Sequence, residues 1–65
     1  PNPANQKINI SSTQKIEKIS VYNSLGQFLF ESKTNQINIE KLEKGLYFLK
    51  IKTSSSETVE KFIKE

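Results

Sequence analysis

A chain of 65 residues is one domain or a piece of one, and at this size folding buries only about 60% of the unfolded surface. Ten Lys against seven Glu give a net charge of +3, and Arg, Asp, His and Cys are all absent. These absences exclude disulfides and thiolate metal sites, remove the usual general base and zinc ligand, and leave a positive set without the guanidinium fork that reads phosphate and guanine.

No apolar run nears the ~20 residues needed to span a bilayer, so direct membrane insertion is not expected. The chain opens at Pro1 with neither a start Met nor a signal peptide, and it reads as a fragment of a longer protein.

Residues 1–6 carry two prolines, which fix φ and remove N–H donors, so this stretch reads as extended linker or edge. Ile8 and Ile10 alternate in a first short strand. A polar turn follows, and then a second strand from Ile16 to Tyr22. Ile19 and Val21 share one of its faces, with Lys18, Ser20 and Tyr22 opposite. Ile16 is off that parity, which predicts a bulge there. Asn23-Ser24-Leu25-Gly26 is a turn signal in which Gly26 supplies a left-handed position, and Gln27 to Lys33 returns as the third strand. The second and third strands therefore form an antiparallel hairpin with a loop of about four residues.

Ile37 and Ile39 mark a short fourth strand. Glu40 to Lys44 suits a single helical or 3₁₀ turn with Leu42 directed inward. Gly45 opens a fifth strand to about Thr53, with Tyr47, Leu49 and Ile51 inward and Phe48, Lys50 and Lys52 outward. After Ser54-Ser55-Ser56, Thr58 to Lys64 forms the last strand. Val59, Phe62 and Ile63 keep no single parity there, so either both faces are partly covered or a bulge shifts the register. Six short strands with turn signals every 8–12 residues or so predict a small all-β sandwich or barrel. The expected core combines Ile19, Val21, Tyr47, Leu49 and Ile51 with Ile8, Ile10, Leu25, Phe28, Phe30, Ile37, Ile39 and Leu42.

Little in the chain suits catalysis. Glu40 and Glu43 are read as a solvated turn, and the serine run has no base to activate it. Two glycines cannot build a phosphate loop, and no cofactor is expected. Phe48 beside Lys50 and Lys52 is an outward aromatic among ammonium groups, which makes it a candidate partner contact.

Four pieces taken together resemble one family. They are Pro1-Asn2-Pro3-Ala4, then Ile19-Ser20-Val21-Tyr22-Asn23 with Leu25-Gly26-Gln27, then Leu42-Glu43-Lys44-Gly45-Leu46-Tyr47, and finally Lys61-Phe62-Ile63-Lys64. In this order they resemble the C-terminal sorting domain of the type IX (Por) secretion system, type A. Asn23 departs from the Asp often found there, but Asn tolerates the same turn conformations.

The resemblance covers the whole chain as a single sorting domain, 1–65. It implies a small immunoglobulin-like antiparallel β-sandwich of about six to seven short strands, acting as a secretion signal and not as an enzyme. The implied partners are the outer-membrane translocon and sortase-like components of that system, with an upstream cargo domain on the same chain. The implied route runs through the periplasm to the cell surface or beyond. Pro1, Asn2, Pro3, Gly26, Leu42, Gly45 and Tyr47 are the expected signature and structural positions. Lys61, Phe62, Ile63, Lys64 and Glu65, with Phe48 and Lys50, are the candidate translocon-recognition residues. An immunoglobulin-like accessory module that binds glycan or protein is the alternative, weakened by the absence of Trp. Nucleic-acid binding is not expected without Arg.

Overall fold

Alternating apolar residues and closely spaced turn signals give β-structure throughout the computed structural model, which describes residues 7–65. Its six strands are β1 (Lys7–Asn9), β2 (Ile16–Asn23), β3 (Phe28–Ser32), β4 (Gln36–Asn38), β5 (Gly45–Thr53) and β6 (Glu57–Lys64). All pairings are antiparallel. One sheet runs β3-β2-β5-β6, and the other is the pair β1-β4. The expected linker at 1–6, with Pro1, Asn2 and Pro3, lies outside the described residues.

The inner face of the four-stranded sheet is built by parity. Ile19 and Val21 of β2 lie opposite Ile51 and Leu49 of β5, and Tyr47 lies opposite Phe62 of β6. Ile37 of β4, with Ile39 just beyond it, closes this layer from the two-stranded side, and these eight side chains form one buried cluster. Ile8, Ile10, Ile16, Phe30 and Leu42 are half-buried around it. Each fully buried side chain of this kind contributes roughly 1.5–3 kcal/mol, so a core of eight is small and each member matters.

The register of β2 against β5 shifts between Ile16 and Lys18, where the off-parity Ile16 predicts a bulge. Over Glu40 to Lys44 no helix forms, only a turn of the expected 3₁₀ type that begins one residue earlier, at Ile39. A single bond from the Leu42 N–H to the Ile39 carbonyl, 3.1 Å, turns the chain there. Two expected core residues are surface residues. Leu25 is 82% exposed at the tip of the β2–β3 turn, where no opposing sheet reaches it. Phe28 is also exposed, because a second register shift between Val21 and Tyr22 places Phe30 opposite Val21 but Phe28 opposite Tyr22. Leu29 is the extra residue of this bulge, and it moves Phe28 to the outward face.

The last strand needs no bulge. β6 pairs with β5 in unbroken register from Glu57 to Lys64. Its inward positions end on Phe62 and Lys64, and Val59 and Ile63 point out. Phe62, absent from the expected core, is 2% exposed and among the most deeply buried side chains.

Candidate functional site

The two-stranded sheet covers one face of the larger sheet and leaves the other outward. Cross-strand register lays out that outward face in rows, since directly opposed residues share a face. One row runs Phe28, Tyr22, Phe48, Lys61 across β3, β2, β5 and β6. A second runs Glu31, Ser20, Lys50, Val59, and a third holds Lys18, Lys52 and Glu57. Leu46 and Ile63 pair beyond the aromatic row. Phe28 meets Tyr22 edge-on, with centroids 5.8 Å apart at 71°. The Lys50 ammonium stands 5.8 Å from the Tyr22 ring centroid, a cation–π placement. Lys18 and Glu31 form an ion pair at 3.9 Å with both side chains well solvated.

The recognition candidates divide by parity. Phe48 and Lys50 are half-buried on the outward face, as the fifth-strand alternation predicts, and Lys61 and Ile63 share it at β6. Glu65 is exposed. Phe62 and Lys64 are interior, so a partner meeting the folded domain cannot reach them. The Phe62 ring stacks on Tyr47, with centroids 5.2 Å apart and planes 16° apart. The Tyr47 hydroxyl donates to the Glu43 carbonyl at 2.5 Å. Lys64 threads its stem inward, and its ammonium donates to the carbonyls of Ile39, 2.7 Å, and Glu40, 3.2 Å. A buried cation with no acceptor is costly, and these two carbonyls satisfy it while tying the end of β6 to the turn after β4.

Among the described residues, the signature positions Gly26, Gly45, Leu42 and Tyr47 lie in turns, at the start of β5 and at the core. Gly26 has φ +83° and Gly45 has φ +148°, both in the region that side chains with a Cβ avoid. At the β2–β3 turn the Asn23 Oδ1 accepts from the N–H groups of Leu25, 2.9 Å, and Gln27, 3.0 Å. Its Nδ2 donates to Gln27 Oε1 at 2.8 Å. Leu42 is half-buried against the core.

The remaining polar candidates serve loops. Ser56 N–H donates to Thr53 Oγ1 at 3.1 Å, and the Thr53 and Ser55 hydroxyls donate to Gln14 Oε1 at 2.8 and 2.7 Å. Among the described residues no cluster of acids could hold a metal ion.

A family model described as a secretion system C-terminal sorting domain matches residues 1–65. The chain belongs to that family. Comparison with curated proteins and with solved structures returned no match. The sorting domain is a type IX secretion signal and not an enzyme, and it implies interaction with the type IX secretion machinery. The hidden Phe62 had a sequence signal: Phe62 and Lys64 are two apart, the spacing of one strand face. Val59 and Ile63 fall on the opposite parity, so the apolar residues of this strand mark no single face, and the ammonium of Lys64 gives no apolar signal to decide between them.

Proposed function

We propose that these 65 residues act as one folded sorting signal for a cargo on the same chain. In this reading the cargo passes through the periplasm, and the outer-membrane translocon recognises the signal as a shape. A sortase-like peptidase then removes the domain, and the cargo is anchored at the cell surface. The match over residues 1–65 carries the reading. A closed core beneath a sheet face that no other strand covers among the described residues supports recognition in the folded state.

Residues 61–65 are then required for two reasons: Lys61 and Ile63 belong to the outward face, and Phe62 and Lys64 hold the fold. The test is a reporter carrying an N-terminal export signal, fused to residues 1–65 or 1–60 and expressed in a host that runs the type IX pathway. The longer fusion is expected at the surface, cleaved from its sorting domain, and the shorter one is expected to stay in the cell. Equal surface display of both fusions would overturn a requirement for the last strand. Surface display with the domain still attached would remove the peptidase step.

A further inference from the structure

We infer that the outward face of the β3-β2-β5-β6 sheet is a docking surface for a protein of the secretion machinery that offers an apolar patch rimmed by carboxylates. This rests on the sorting reading above and adds to it the face and the chemistry of the partner. Phe28, Tyr22 and Phe48 lie side by side across three strands, flanked by Val59 and by the Leu46–Ile63 pair. Phe28 is 55% exposed, Val59 62% and Ile63 51%, although the domain has few large apolar residues to spare from its core. A single exposed apolar residue is ordinary, but four exposed ones grouped around the half-buried Tyr22 and Phe48 on one sheet face mark a contact surface. The bulge at Leu29 brings Phe28 there; in plain alternation it would share the inward face of Phe30.

Charge selects the occupant. The face carries Lys18, Lys50, Lys52 and Lys61 against Glu31 and Glu57, with Glu65 exposed just past Ile63 in the same parity, four positive groups to three negative. Lys18 and Lys52 stand directly opposite each other, and the domain answers both itself, with Glu31 3.9 Å from Lys18 and Glu57 opposite Lys52. Lys50 and Lys61 border Phe48 diagonally and directly, so cations edge the aromatic row. A second copy of the chain would bring the same lysines against one another. An anionic bilayer would satisfy the lysines, but these rings form a row across three paired strands, a shape suited to a complementary protein face.

The test uses the full reporter fusion in the same host, with Phe48→Ser, Lys50→Glu, Val59→Glu and a charge-matched control, Lys33→Glu, in the loop between β3 and β4. Thermal unfolding of each purified domain selects the variants that keep the wild-type fold; Val59→Glu and Lys50→Glu, at an exposed and a half-buried position, keep the test open should Phe48→Ser unfold. Folded face variants are expected to lower surface export about tenfold or more, and Lys33→Glu less than about twofold. Wild-type export matched by the folded face variants overturns the docking face and leaves the sorting reading standing. A wild-type fusion that is not exported overturns the sorting reading and this inference with it. The face is also reassigned if sedimentation of the purified domain shows a dimer that Val59→Glu dissolves, or if phosphatidylglycerol vesicles bind the domain and Lys50→Glu abolishes that binding.

Discussion

Lys64 shows how much a single side chain depends on its strand parity. One position earlier, Ile63 faces solvent; one later, Glu65 does the same. Lys64 alone turns inward, where two carbonyls receive its ammonium. Replacing it with Ala removes two charge-assisted bonds and leaves the carbonyls of Ile39 and Glu40 short of a donor, at an expected cost of about 1.5–3 kcal/mol. Phe62→Ala opens a cavity beside Tyr47 and is expected to cost ~3–5 kcal/mol, whereas Ile63→Ser should stay within about 0.5 kcal/mol. Urea unfolding of the three variants checks the order, and an Ile63→Ser loss as large as that of Phe62→Ala would contradict the assigned parity. Asn23 makes a comparable residue-scale case. Asn23→Asp keeps the acceptor for the Leu25 and Gln27 N–H groups and is expected to be near neutral, while Asn23→Ala should lose ~1–2 kcal/mol by leaving both without that acceptor. Equal melting temperatures for the two variants would remove the side chain from the account of the turn.

At the scale of the element, the β2–β3 hairpin carries the sharpest contrast. Phe28 and Phe30 are two residues apart and would share a face in an unbroken strand, yet the bulge at Leu29 separates them. Phe30→Ala should therefore cost clearly more than Phe28→Ala, whose main loss is the edge-on contact with Tyr22, about 0.5–1.5 kcal/mol. Chemical denaturation of both variants decides the matter, and a larger loss at Phe28 would restore plain alternation. This is also where reading from residues met its limit. The six strands, the four-residue turn and the inward set Ile19, Val21, Tyr47, Leu49 and Ile51 follow from period-two patterning and turn residues, which are local. The bulge at Ile16 was legible because Ile16 breaks parity with Ile19 and Val21. The one at Leu29 was not, because Phe28, Leu29 and Phe30 form a continuous apolar run in which either parity looks acceptable. Within the candidate site, Phe48 and Lys50 could be placed outward by alternation alone. Alternation also sets Tyr22 opposite Ile19 and Val21, but that Tyr22, Phe28, Val59 and Ile63 share one face with them follows only from cross-strand pairing, which is set by the whole fold.

Among the described residues the molecule is a four-stranded sheet closed on one side by two three-residue strands, and this asymmetry makes the last strand decisive. β6 is an edge strand that pairs only with β5, so its hold on the domain comes from that ladder and from what its inward side chains reach. Phe62 reaches the Tyr47 ring, and Lys64 reaches across to the turn that follows β4, so the end of one sheet is joined to the other. A domain of this size stands at the low end of the usual ~5–15 kcal/mol. Losing Phe62 alone takes ~3–5 kcal/mol of that, and the Lys64 bonds take a further share. Truncation after Glu60 is therefore expected to abolish cooperative unfolding, which the 65-residue chain should show as a single urea transition. Circular dichroism across a urea series measures both chains. A cooperative transition in the 60-residue chain, within about 1 kcal/mol of the full chain, would show that β6 is dispensable for the fold. Loss of export on truncation would then trace to the outward residues Lys61 and Ile63 and not to the collapse of the face they complete.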